Sequence, residues 1–243
     1  MESDSGEPIF MSHGTARDMA INPLDNPVWH ALAGPHRRYA IHCGRAAHYP
    51  RDMAPFSAIA EPTEQAYADL GASLPPGTEA RLFRPGEEPL PAGWEQVNCF
   101  PLLQMVAISA PHNAGVPIAE LSEVDVPSMM ELVAVATPGP FGRRTFMLGR
   151  YFGVREGGRL VAMAGQRLRL LGYVELSAIC VHPKARGRGY AAALTCSLMQ
   201  TAFADGQVPF LHVHPDNGAA VRLYEKLGFL TRRRLTILWR RPL

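Results

Sequence analysis

The sequence predicts an α/β fold built on a mixed sheet. Two patterns lead to it. Across the second half of the chain, short apolar segments alternate with segments of helical period, in the order helix, three strands, helix, strand, helix, strand. Glycine and proline, 22 of each in 243 residues, separate those segments as turns. The hydrophobic share, 47%, is ordinary for a globular chain.

Residues 1–20 are polar and are expected to be poorly ordered. Residues 21–110 read as an N-terminal α/β domain of short helical and strand-like segments. Within it, Thr63 caps a helix through Tyr67 and Leu70 that stops near Gly71. Ala80 to Phe83 and Leu102 to Ile108 read as strands. Size and element order alone allow this half to be a degenerate copy of the second. Residues 111–117, Pro-His-Asn-Ala-Gly-Val-Pro, read as a linker, which leaves 118–243 as the second domain.

In that domain Asp125 caps a helix through Met129, Leu132 and Ala136, with Pro127 in its first turn, and Thr137-Pro-Gly-Pro140 ends it. Tyr151 to Val154 and Leu160 to Ala164 form a hairpin about Glu156-Gly157-Gly158. Tyr173 to Val181, strongly apolar, reads as a central strand. A helix follows from Tyr190 to about Ala204, with Leu194, Leu198 and Ala202 on one stripe; Asp205-Gly206 stops it. Phe210 to His214 is a strand. Asp216 or Asn217 caps a helix bearing Ala220, Leu223, Tyr224 and Leu227, and Gly228 sits where a left-handed C-cap belongs. Leu235 to Trp239 is the last strand.

Composition narrows the function. A net charge of +2 argues against a nucleic-acid surface. The four cysteines, Cys43, Cys99, Cys180 and Cys196, have neither zinc-site nor disulfide spacing and read as free thiols of a reducing cytosol. The N-terminus MESDSGEPIF lacks a secretory pattern, and no apolar run approaches the roughly 18 residues that span a bilayer. The expectation is a cytoplasmic protein without membrane or nucleic-acid partners.

The segment that carries chemistry is Arg186-Gly187-Arg188-Gly189-Tyr190-Ala191, which leaves a strand and opens a helix. A helix N-terminus presents unpaired N–H groups and a positive dipole end, and so binds anions. Glycine keeps side chains out of the way, and the two arginines can add charge-assisted hydrogen bonds. The segment lacks the Gly-Lys-Ser/Thr ending of a P-loop. It fits Arg-x-x-Gly-x-Ala, and here the chain resembles the GNAT superfamily of N-acetyltransferases, whose pyrophosphate loop has that form. Val174 to Val181 resembles the central strand of that family. Asn217-x-x-Ala220-x-x-Leu223-Tyr224-Glu-Lys-Leu-Gly-Phe229 resembles its late helix. The stretch 172–229 is most similar to the branch that includes glycine-N-acyltransferase-like proteins. The resemblance covers about 120–243 and covers the first hundred residues poorly.

The resemblance implies a mostly antiparallel sheet flanked by helices, and acetyl-CoA or another short acyl-CoA as cosubstrate with no metal. It implies direct attack of a small-molecule primary amine on the thioester. Arg186, Gly187, Arg188, Gly189, Tyr190, Ala191 and Ala192 would hold the diphosphate. Ile179, Cys180 and Val181 would offer backbone groups to the pantetheine and thioester, and Asn217 would bond the pantetheine arm or act only as a helix cap. Glu175 is the candidate base, its pKa raised by burial, against the alternative of a structural ion pair with an arginine. Tyr224 is the candidate acid toward the leaving thiolate, protonated at a pKa near 10, against the alternative of core packing.

Cys180 as a nucleophile lacks any triad pattern. His212 and His214 share a strand face but lack an evident third metal ligand, and His214 is expected to line the acceptor side. Arg232, Arg233, Arg234, Arg240 and Arg241 read as a solvated basic face, or as a site for the CoA 3′-phosphate or an acidic acceptor. The competing functional reading is a non-catalytic acyl-CoA sensor or partner protein. A homodimer is compatible with the sequence.

Overall fold

The computed structural model describes residues 22–109, 111 and 115–243. The expected disorder of 1–20 and part of the predicted linker lie outside them. The N-terminal part begins with α1 (Pro27–Ala33), opened by a proline at its first position where the missing N–H does no harm. Three short strands follow, β1 (Ile41–Cys43), β2 (Ala46–His48) and β3 (Ser57–Ile59), paired as an antiparallel meander. Next is α2 (Glu64–Ser73), capped as expected: the Thr63 hydroxyl accepts from the Ala66 N–H at 3.2 Å. Two strands, β4 (Ala80–Arg84) and β5 (Trp94–Ala107), complete this part.

β6 (Ala119–Leu121) leads into α3 (Val126–Ala136). The Asp125 side chain bonds the Ser122 N–H instead of capping α3 itself, and α3 ends at a left-handed Thr137. β7 (Tyr151–Glu156) turns into β8 (Arg159–Leu170) through Gly157 and Gly158, both at positive φ, where a side chain would be strained. Then come β9 (Tyr173–Val181), α4 (Tyr190–Ala204), β10 (Val208–Val213), α5 (Gly218–Lys226) and β11 (Phe229–Pro242). Gly228, at φ +89, follows α5. β5 and β11 are longer than the sequence predicts. They pair with each other from Phe229↔Ala107 to Pro242↔Trp94. Pro101 is tolerated inside β5 because β10 pairs only with residues 103–106 on the other side, so no partner there needs its missing N–H.

The main sheet has eight strands in the order β4-β11-β5-β10-β9-β8-β7-β6. Every neighbouring pair is antiparallel except β10 with β9. β9 is central, as predicted. The predicted boundary at 111–117 does not divide this sheet. β4 and β5 come from before it, and β5 lies between β11 and β10 from after it. The N-terminal half runs helix, three strands, helix, strand, strand, which is the element order of the second half from its first long helix on, without the last helix. Its two longest strands complete the common sheet, and only β1–β3 form a sheet of their own.

One face of the sheet is covered by α4 and α5, with Leu194, Leu198, Met199 and Tyr224 packed on Ala162, Ala164, Leu176 and Leu211. The other face is covered by the N-terminal elements, with Leu24, Leu32, Tyr49 and Phe56 against Leu168, Phe210, Leu235 and Ile237. Met163, between Ala162 and Ala164, points to this second face, where it meets Met129 and Leu132 of α3.

Candidate active site

β9 and β10 pair only from Tyr173↔Val208 to Glu175↔Phe210, although both strands continue. Between Ser177 and Cys180 the register of β9 against β8 shifts, and Ala178 there has φ +52. Such a bulge bends its strand. Beyond Glu175 the two strands are no longer partners, and a cleft of about 860 Å³ opens between them and joins the two faces of the sheet. Toward α4 and α5 it is lined by Ile179, Cys180 and Val181, by residues 185–192, and by Asn217 and Tyr224. Toward the N-terminal elements its walls are Phe56, Arg81, Phe83, Phe100, Ile237 and Trp239.

Arg186, Gly187, Arg188 and Gly189 are exposed at the cleft rim, and Tyr190 begins α4 directly behind them. Gly189, the N-cap, is left-handed at φ +78, and no side chain caps the helix, so its first amides are left for a ligand. Gly187 is also left-handed at φ +77, and a Cβ at either glycine would meet open space. Their identity is set by backbone conformation and by what could approach from outside. Ala191 and Ala192 are half-buried along the cleft. Arg188 departs from the expected role, because it pairs with Glu156 at 2.6 Å, which also accepts from the Tyr190 hydroxyl at 2.6 Å. Arg186 has no ion-pair partner among the described residues.

Glu175 does not have the raised pKa that the sequence suggests for a base. It is fully buried, and both oxygens are engaged. Arg167 donates Nε to Oε2 at 2.8 Å and Nη2 to Oε1 at 2.7 Å, and Oε1 also accepts from His212 Nδ1 at 2.7 Å. Burial alone would raise its pKa, but the Arg167 charge and these hydrogen bonds outweigh burial and pull it down to about 2. A carboxylate so held is the structural ion pair of the alternative reading. The network continues across the sheet. Gln104 Nε2 lies 3.1 Å from His212 Nε2 and donates to the Leu24 carbonyl at 2.8 Å. The Gln104 carbonyl accepts from Arg232 at 2.8 Å, and Arg232 pairs with Asp25 at 2.8 Å. These side chains come from β8, β9, β10, β5 and β11 in their spatial order.

Tyr224 lines the cleft, 8% exposed, and burial pushes its pKa up to about 12. It is therefore a protonated phenol at any ordinary pH. It also packs in the core against Phe229, as the core-packing reading expects. Asn217 caps α5 through Ala220 N–H at 3.2 Å while lining the cleft. Cys180 is buried, and burial pushes its thiol up to about 12, which makes a thiolate nucleophile unworkable. His214 lies just past the end of β10 and lines the cleft. Its Nδ1 accepts from the Asp216 N–H at 3.2 Å, which leaves the proton of the neutral ring on Nε2. Among the described residues no cluster of three or more His, Cys, Asp or Glu could hold a metal.

The C-terminal arginines are a solvated face only in part: Arg233 and Arg234 are exposed. Arg232 and Arg233 both pair with Asp25, and Arg241 with Glu79 and Glu95. Arg240 is buried against Tyr67 and the Glu88 carbonyl. The sequence reading missed Arg167 and Gln104, and it expected the N-terminal half to shape the acceptor pocket without naming the residues that wall the cleft. Gln104 in Leu-Leu-Gln-Met-Val and His212 in Phe-Leu-His-Val are single polar residues inside apolar strands, which is the signal that could have pointed to a buried network.

Residues 151–239 match the family of FR47-like proteins. Over 84 residues the chain is 40% identical to the N-alpha-acetyltransferase RimI of Mycobacterium tuberculosis (strain ATCC 25618 / H37Rv), a match covering 32% of this chain. The chain spans about half the length of that curated relative, 51%. A crystal structure of a GNAT-family protein from Novosphingobium aromaticivorans DSM 12444 is similar at 37% identity with a TM-score of 0.84. The match covers 91% of this chain and 99% of that one. A GCN5-related N-acetyltransferase from Kribbella flavida shares the fold at 20% identity, with a TM-score of 0.59 over 87% of this chain and 93% of that one. Among the described residues no helix is long and apolar enough to cross a membrane.

Proposed function

The chain belongs to the GNAT family of acetyltransferases, and from that premise we propose that it transfers an acetyl group from acetyl-CoA to the amine of a small molecule by direct attack. The observation that carries the proposal is the uncapped start of α4, exposed behind two left-handed glycines at the rim of a cleft that crosses the sheet. A diphosphate there meets backbone amides, the helix dipole and Arg186. The pantetheine runs along Ile179 to Val181, where β9 has lost its β10 partner, so backbone groups on that edge are free to bond it and to polarise the thioester carbonyl. Asn217 borders the same channel. The placement near glycine-N-acyltransferase-like proteins stays a resemblance of residues 172–229 and sets no acceptor.

The amine enters from the face covered by the N-terminal elements. Its nitrogen attacks the thioester carbon, the oxyanion collapses, and the C–S bond breaks. Tyr224 donates its phenolic proton to the departing thiolate and regains one from solvent. Glu175 and His212 have their polar atoms engaged within the protein, so the ammonium proton leaves to water. Desolvation and the cationic groups Arg81 and Arg167 on that side of the cleft favour the neutral amine. The test is thiol release from acetyl-CoA across a panel of small amines and N-terminal peptides, with mass spectrometry of the products. Acetylated small amines are expected. Acetyl-CoA binding without transfer to any amine would favour the sensor reading, and transfer to peptides alone would replace the small-molecule acceptor.

A further inference from the structure

This inference rests on the acyl-transfer reading above and extends it to the acceptor. We infer that the acceptor amine carries a carboxylate and an apolar body of about the size of an aromatic ring, as an aromatic or branched α-amino acid does, and that Arg81 selects it. The deciding residues lie outside the 151–239 match: Phe56, Arg81, Phe83 and Phe100 all come from the N-terminal half.

Shape points to the apolar body. On β4, β11 and β5 the register sets Phe83 opposite Ile237 and Ile237 opposite Phe100, so these three side chains form one row on a single face. Phe56 meets Phe83 edge to face at 5.1 Å between ring centroids. Trp239, two residues along from Ile237, continues the wall and lies 5.9 Å from Phe100. Apolar rings on several sides bind an apolar ring or branched chain by excluding water from both.

Charge points to the carboxylate. Among the described residues lining the cleft there is no Asp or Glu; the charged side chains are Arg81, Arg167, Arg186 and Arg188. A polyamine or another polycation entering here would shed water from its ammonium groups with no carboxylate to receive them. Two of the arginines are committed, Arg167 to Glu175 and Arg188 to Glu156, and Arg186 belongs to the diphosphate side.

Arg81 is different. It stands opposite Trp239 in the strand register and holds its guanidinium 3.9 Å from that ring's centre. Its carboxylate contact is Glu79 at 3.9 Å, beyond hydrogen-bond distance. Burial lowers its pKa, with Glu79 opposing and Arg51 adding to the fall, the sign of a cation short of counter-charge. A ligand carboxylate would supply two parallel hydrogen bonds to a fork already held flat by the indole.

The experiment is steady-state kinetics at saturating acetyl-CoA with phenylalanine, phenylalaninamide, glycine and spermidine. Phenylalanine is expected to exceed each of the others in kcat/KM by about tenfold or more. Arg81→Met is expected to raise KM for phenylalanine by about tenfold and so bring it toward the amide, with Arg81→Lys between the two. The amide or spermidine matching phenylalanine on the unaltered protein overturns the inference and leaves acyl transfer standing. No transfer to any of the four overturns the inference, and the acyl-transfer reading falls with it only when the wider panel of amines and peptides is also left unacetylated. Because the first comparison uses the unaltered protein, it decides the matter even if the variants fail to fold.

Discussion

Arg167 closes on Glu175 through two parallel hydrogen bonds of 2.8 and 2.7 Å, and the carboxylate they hold has no exposed surface. The pair stands at the last point where β9 and β10 are still partners, Glu175 opposite Phe210. It anchors the floor from which the cleft opens.

Removing one member of such a pair leaves the other charge buried alone. Glu175→Gln is therefore expected to cost about 3–5 kcal/mol of stability, read by urea unfolding. Loss of turnover in a variant of undiminished stability would return Glu175 to the chemistry.

The same pair sets an acid limb. The Glu175 carboxyl lies near 2 in the folded chain against an ordinary 4.5. The unfolded chain binds the proton more readily, so the contribution is complete above about pH 4.5 and is lost as the pH falls toward 2. Unfolding midpoints measured down this range should fall for the unaltered chain, with a shallower slope for Glu175→Gln.

At the start of α4, Gly189→Asp should weaken acetyl-CoA binding about a hundredfold, through like charge against the diphosphate and lost amide contacts. Gly189→Ala carries the same backbone strain at φ +78 without the charge, and should lose far less affinity. Calorimetry with acetyl-CoA separates the two. Normal binding by the aspartate variant would move the diphosphate elsewhere.

Tyr224→Phe keeps the ring that packs on Phe229 and removes only the hydroxyl. We expect kcat to fall by about a hundredfold or more, with the dissociation constant of acetyl-CoA little changed. Because burial pushes the phenol up to about 12, it stays an acid well above neutrality, and its ionisation should not cut the unaltered rate until the pH nears that value. Equal turnover in the variant would take Tyr224 out of the mechanism.

Cys180, with its thiol pushed up to about 12 and only 6% exposed, should resist alkylation by iodoacetamide at pH 8. Cys180→Ala should keep most of the activity. A burst of thiol release that the variant abolishes would point to an acyl-enzyme and against direct attack.

Much of the second half was legible because its signals are local. The bounds of β9 and α4, the turn at Gly157-Gly158 and the Asn217 cap follow from residues a few positions apart, where period, capping and left-handed glycine decide the backbone. The lengths of β5 and β11 were not legible, since each is extended by pairing with the other. The pKa of Glu175 was misread for the same reason. A sequence shows that the residue is buried, but not that Arg167, eight residues earlier on the neighbouring strand, will meet it.

By itself, then, the sequence determined the order of elements in the second half, the anion-binding turn at 186–191 and the resemblance to one family, all carried by short-range chemistry. Only the tertiary structure decided that both halves share one sheet and which residues of the N-terminal half line the cleft. It alone showed that five strands exchange hydrogen bonds through a buried polar row. Such contacts join residues as far apart as Gln104 and Arg232, 128 positions along the chain. Strand register over that distance depends on how the whole core packs, which no local pattern encodes.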